Sequence, residues 1–170
     1  MFRRSYVPGP GAKSAPLGPQ LKRSVRRAVK KERIMCRLCE TKIDEIWGKI
    51  NVNQEFTTPD RVVGRKYSLE DIGPTEIRIR PQNININKKA FVSTVHYLLE
   101  NKHISNNPIN INSNNDLIMA GPICKVSRAE NGGIRCINYI IPILHLYGIV
   151  EIYSGRPNKT WLISAEEIDV

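Results

Sequence analysis

Four cysteines are the residues whose type and spacing come nearest to a metal site in this chain. Cys36-Arg37-Leu38-Cys39 has the spacing of half a tetrahedral zinc centre, because thiolates three positions apart can face one ion. Cys124 and Cys136 would complete such a site and staple the region around Cys36 onto the C-terminal half. A single CxxC pair is also what small buried hydrophobes look like, and this simpler reading is favoured, leaving no cofactor or a structural zinc. A second chemistry is metal-assisted phosphodiester cleavage by the carboxylates of Asp60 and of Glu76 in Glu76-Ile77-Arg78. Arg78 stands where a lysine base would be needed, and a guanidinium does not give up its proton. The histidines, His96, His103 and His145, are isolated, and neither a phosphate-binding glycine loop nor a Ser-His-Asp arrangement occurs. Enzymatic activity is therefore not expected.

The third chemistry is charge. The chain carries 26 Lys and Arg against 16 Asp and Glu over 170 residues. Residues 1–50 hold 13 of the cations and four acids (Glu32, Glu40, Asp44, Glu45), a net of +9, and the remainder sums to +1. Such an excess is the electrostatic footprint of a nucleic-acid binder, because each cation that neutralises a phosphate releases condensed counterions. Arg23, Arg26, Arg27, Lys30 and Lys31 are the densest part of it. No run is apolar and long enough to span a bilayer, and the start lacks the apolar segment of a secretory signal. No membrane partner is expected, and the location reads as intracellular, either cytoplasmic or nucleoid-associated. A structural disulfide is disfavoured there.

These groups need elements to position them. Residues 1–19, with four prolines and three glycines, read as a flexible basic arm. Residues 20–48 read as a basic helix on which Leu21, Val25, Ala28, Met35, Cys39 and Ile46 share a face. Residues 49–87 turn to short alternating runs, Ile50 and Val52, Val62 and Val63, Ile77 and Ile79, Ile84 and Ile86, broken by Thr58-Pro59-Asp60 and Ile72-Gly73-Pro74. This predicts a small antiparallel β region, with Pro81 confining one strand to an edge. From Lys88 to Lys102 the helical period returns through Phe91, Val95, Leu98 and Leu99. Residues 104–116 read as an asparagine-rich loop, and Leu117-Ile118-Met119 as a short strand. A short helix from Pro122 to Arg128 and the turn Glu130-Asn131-Gly132-Gly133 follow. Next comes a longer helix on which Ile134, Ile137, Ile140, Ile141, Leu144 and Tyr147 share a face and which Gly148 closes. Pro142 should bend that helix or divide it. Two strands, 149–153 and 160–164, flank the turn 154–159.

Leu144-His145-Leu146-Tyr147-Gly148-Ile149-Val150 resembles the end of the recognition helix in winged-helix regulators, and Gly155-Arg156-Pro157 with Trp161-Leu162-Ile163 resembles their wing. The resemblance implies an α+β fold, a winged helix-turn-helix domain over 88–165 preceded by the basic helix and the small β region. It implies that the third helix enters the major groove of double-stranded DNA, where Arg suits guanine and Asn suits adenine. Arg135 and Asn138 would then read bases, with Tyr139 and His145 also off the apolar stripe. Lys125 and Arg128 would hold phosphates, and Arg156, Asn158 and Lys159 would reach the flanking backbone or minor groove. The expected function is a DNA-binding transcriptional regulator or DNA-organising factor using helix 134–147 and wing 154–159, binding as a homodimer as such proteins commonly do. The alternative is a ribosome- or RNA-associated structural protein that threads its arm between phosphates. A small metal-dependent nuclease, resting on Asp60 and Glu76, comes third.

Overall fold

An alternation of apolar and charged residues after Gln54 builds the first layer. In the computed structural model, which describes residues 37–60 and 62–163, β1 (Glu55–Thr57), β2 (Lys66–Ile72), β3 (Glu76–Arg80) and β4 (Ile84–Asn87) form an antiparallel meander in chain order. Tyr67, Leu69, Ile77, Ile79 and Ile86 fall on its buried face, as the period of two requires. On the opposite face Arg78 Nε lies 3.1 Å from Glu70, and Arg80 Nε donates to Ser68 Oγ at 3.1 Å. The expected β region is present with shifted boundaries. Ile50 and Val52 precede β1, and Pro81 lies in the β3–β4 turn rather than in a strand. Val62 and Val63 sit in the β1–β2 loop because Asp60 Oδ1 accepts both of their N–H groups, at 2.8 and 3.0 Å, diverting the backbone from the ladder.

Helix α1 (37–47) buries Cys39, Ile43 and Ile46 at helical spacing. Its last residue, Trp47, donates from the indole to the Gly73 carbonyl at 2.9 Å and meets Phe91 edge-on at 5.1 Å. The arm, Cys36 and the cations Arg23, Arg26, Arg27, Lys30 and Lys31 lie outside the described residues. Helix α2 (Lys88–Glu100) begins at Asn87, whose side chain accepts the Lys89 N–H at 2.9 Å and so satisfies one open donor of the first turn.

The remaining elements are β5 (Ile109–Asn110), α3 (Pro122–Ala129), α4 (Ile137–Leu146), β6 (Val150–Tyr153) and β7 (Lys159–Leu162), with an antiparallel sheet of order β5-β7-β6. Two expectations are corrected here. The strand that pairs with the hairpin is β5, inside the stretch read as loop, where Ile109 stands opposite Thr160. Leu117, Ile118 and Met119 are exposed in a turn instead, because the Asp116 carboxylate takes the Ile118 N–H at 2.8 Å and its carbonyl takes the Ala120 N–H at 3.0 Å. Helix α4 also begins three residues later than expected, leaving Ile134 exposed. Gly132 and Gly133, at φ +60° and +81°, turn the chain out of α3. Buried Asn131 then pins the turn, accepting the Asn87 N–H at 2.8 Å and donating to the Asn85 carbonyl at 3.2 Å.

Pro142 leaves α4 in one piece. Lacking an N–H, it leaves the Asn138 carbonyl without a helical donor. The next carbonyl, that of Tyr139, accepts the buried Tyr67 hydroxyl at 2.7 Å. Around that bond Phe56 stacks on Tyr67 at 5.4 Å and Tyr67 meets Tyr139 edge-on at 5.1 Å. The meander is thereby seated on α4, and seven of the ten α4 residues, including Tyr139, Ile141 and Pro142, are buried. A helix apolar on nearly every side belongs to an interior. The helix ends in a pair of hydrogen bonds, Ile149 N–H to the Leu144 carbonyl and Gly148 N–H to the His145 carbonyl, both 3.0 Å, with Gly148 at φ +72°. The result is a mixed α+β fold around one continuous apolar core. Among the described residues no helix is long and apolar enough to cross a membrane.

Tyr67→Phe should destabilise the chain by about 1–3 kcal/mol in urea unfolding, because the Tyr139 carbonyl loses a buried donor. Burial pushes the Tyr67 phenol well above its usual value of 10.0. The native state therefore holds this proton where the unfolded chain has released it, and stability should fall as pH rises above about 10. That component of the alkaline loss should be absent in Tyr67→Phe.

Candidate nucleic-acid interface

The β6–β7 hairpin carries its turn toward the β1–β2 loop, and a polar cleft of about 650 Å³ lies between them. One wall is the hairpin tip, Gly155, Arg156, Pro157 and Asn158; the other is Thr58, Asp60, Val63 and Arg65. Asn110, Asn112 and Ser113, following β5, and Arg135, Asn138 and Tyr139, at the start of α4, complete it. Each wall is held by its own bonds. Arg65 and Thr58 close the β1–β2 loop, Arg65 N–H to Thr58 Oγ1 at 2.8 Å and Thr58 N–H to the Arg65 carbonyl at 3.0 Å. Gly64 is required there, since a Cβ would come within 2.6 Å of the Asp60 carbonyl oxygen. The Asn158 carbonyl accepts the Ile111 N–H at 3.0 Å, fixing the hairpin tip to the strand beside it.

Among the described residues, three arginines, Arg65, Arg135 and Arg156, and one carboxylate, Asp60, line the cleft. Arg156 reaches Asp60 at 3.8 Å across the mouth. Hydrogen bonds from the Val63 and Val62 backbones, with Arg156 adding its charge, hold the Asp60 carboxyl below its usual range, so it stays ionised at neutral pH. Arg135 leans on the Ser113 carbonyl at 3.5 Å. The first turn of α4 has no side-chain cap, and the positive end of its dipole adds to the preference for an anion. Asn138 Oδ1 and Ser113 Oγ are enclosed and have no hydrogen-bond partner among the described residues. Such groups cost about 1–3 kcal/mol each when left alone.

Of the residues singled out in the sequence, Arg135, Asn138, Tyr139, Arg156 and Asn158 come together in this cleft. Tyr139 is nevertheless buried and packs on Tyr67, which corrects its assignment to an open polar face. Arg128 is corrected too. Its guanidinium is spent on the carbonyls of Gly133 (3.0 Å), Asn114 (3.0 Å) and Asn115 (3.1 Å), where it braces the turn between α3 and α4. Lys125 is exposed on α3 away from the cleft, and Lys159 is half-buried on β7. His145, at the far end of α4, bonds the Val150 carbonyl through Nδ1 at 2.9 Å. Arg65 and the Asn110, Asn112 and Ser113 group were not foreseen. Their only signal was a run of hydrogen-bonding residues in segments otherwise read as connections.

Asp60 and Glu76 do not meet, since they stand beyond opposite ends of β2. Seven strand residues put them on the order of 20 Å apart, and Glu76 accepts instead from Asn85 Nδ2 at 2.9 Å. Cys39, Cys124 and Cys136 are buried, and among the described residues no group of three or more His, Cys, Asp or Glu converges as a metal site. Cys136 donates to the Ser127 carbonyl at 3.6 Å, and burial pushes its thiol up to about 12. At about pH 8, near the ordinary thiol value, Cys136 should therefore resist iodoacetamide in the native chain and react once the chain is unfolded in urea. Rapid labelling of the native protein would contradict this placement. No family model, curated protein or solved structure matches the chain.

Proposed function

We propose that the protein is a DNA-organising factor that grips the sugar-phosphate backbone through the arginine cleft and the β6–β7 tip, with the basic N-terminal segment as a second anchor. Residues 88–163 are its winged helix-turn-helix scaffold. The order α2, β5, α3, α4, β6, β7 with a sheet of order β5-β7-β6 supports that reading, as does the basic tip. The observation that carries the function is the gathering of Arg65, Arg135 and Arg156 with Asn138 and Asn158 around one polar cleft. Phosphate contacts of this kind position a protein on a duplex without reading its sequence.

A regulator that reads bases by inserting α4 is the weaker choice. The helix offers no continuous polar face to a groove, because the meander sits on it. Backbone binding with little selectivity is what remains, and the chain's surplus of cations suits it.

Fluorescence anisotropy on duplex DNA across a salt series tests the proposal. Arg135→Ala and Arg156→Ala should each weaken binding and lower the steepness of the log–log salt dependence by about 1. Scrambling the duplex sequence should change affinity little. Unchanged slopes would remove the cleft from the interface, and tighter binding to RNA of equal length would transfer the reading to an RNA-associated structural protein.

A further inference from the structure

A duplex cannot enter a cleft of about 650 Å³, but a single nucleotide can. We propose that the cleft between the β1–β2 loop and the β6–β7 tip is a seat for one unpaired nucleotide, its phosphate on Arg65, Arg135 and Arg156 and its base on the Asn138 and Asn158 amides. This rests on the reading of the cleft as the nucleic-acid face and deepens it: the arginines at the rim hold the phosphates of a duplex from outside, and the interior takes a base where one is unpaired, so a strand with an exposed base binds more tightly than an intact duplex.

Three observations support it. The lining combines strong cationic donors with amides that both donate and accept, which is the pairing that a sugar phosphate carrying a heterocyclic base requires. On the floor, Asn138 and Ser113 each hold a side-chain oxygen with no partner among the described residues. The terminal torsion of an asparagine is soft, so a small rotation brings the Asn138 amide to a base edge. At the mouth, the Asp60 carboxylate rests 3.8 Å from Arg156, in the place a phosphate would take. An incoming phosphate displaces Asp60 from that guanidinium, and Asp60 keeps its bonds to the Val62 and Val63 N–H groups.

Asp60→Asn is the most direct probe, because the amide oxygen still accepts from Val62 and Val63 while the competing charge is gone. The experiment compares the full chain, Asp60→Asn, Asn138→Ala and Asn158→Ala. The ligands are a short unstructured oligonucleotide, the same oligonucleotide annealed to its complement, a mononucleotide and inorganic phosphate. The wild type should prefer the single strand, and Asp60→Asn should tighten its binding severalfold. Asp71→Asn, on β2 away from the cleft, should do less, because salt screens charges beyond about 10 Å. Asn138→Ala and Asn158→Ala, with circular dichroism unchanged, should each weaken the single strand by about tenfold and the duplex by distinctly less. Competition by the mononucleotide would identify the source as a free nucleotide, and its failure would identify a strand. Competition by phosphate as strong as that by the mononucleotide would overturn the base contact. Equal binding of duplex and single strand, with both asparagine variants neutral, would overturn the seat while sparing the wider function. Binding to none of these probes would overturn both.

Discussion

The hydrogen bond from the Tyr67 hydroxyl to the Tyr139 carbonyl is the constraint on which the rest of this molecule depends. It lies one residue beyond the Asn138 carbonyl that Pro142 leaves without a helical donor, on an apolar helix that needs cover on more than one side. The meander supplies that cover through Phe56 and Tyr67. A second tie, from Asn131 to the backbone of Asn85 and Asn87, joins the turn before α4 to the last strand of the same sheet. Together they settle which surfaces the C-terminal elements can still present. The side of α4 against the meander is closed, and the open side is the rim where the hairpin tip faces the β1–β2 loop.

That rim concentrates charge in a concave place, where low-dielectric walls strengthen a field that a flat surface would lose to water. Among the described residues, three arginines and one aspartate line it, a positive balance even though the chain beyond residue 50 is nearly neutral. On the proposed function, the cleft and the N-terminal cations would divide the work. The N-terminal segment would supply long-range attraction that salt weakens, and the cleft short-range geometry through groups whose positions the fold has set.

Much of the architecture was legible because local periods agreed with the tertiary solution. The α2 stripe of Phe91, Val95 and Leu98 is buried as its spacing demanded, and Gly148 does stop α4. What escaped was governed by side chains acting on distant or non-repetitive backbone. Asp60 and Asp116 redirect their loops by taking nearby N–H groups, so Val62-Val63 and Leu117-Ile118-Met119 are turns although their composition favours strands. β5 is two residues long and is set by pairing with β7 almost fifty residues away, so no local pattern announces it. In the sequence Tyr139 shows a polar atom but not the ring contact that buries it, and Arg128 shows a charge but not the three carbonyls that surround it. For the cleft, Arg135, Asn138, Arg156 and Asn158 were individually visible, whereas their convergence with Arg65 and Asp60 required the meander to be placed.

The measurement that bears most directly on this account is backbone amide NMR of the full chain during titration with nucleic acid. If the meander stays on α4 and the rim is the interface, shifts should gather in 58–65, 110–113, 135–139 and 155–158. Hydrogen exchange at Tyr67 and in the middle of α4 should remain slow. Shifts running instead along α3 and α4, together with faster exchange in β1 and β2, would mean that the meander lifts to free α4 for a groove. That result would contradict the central claim.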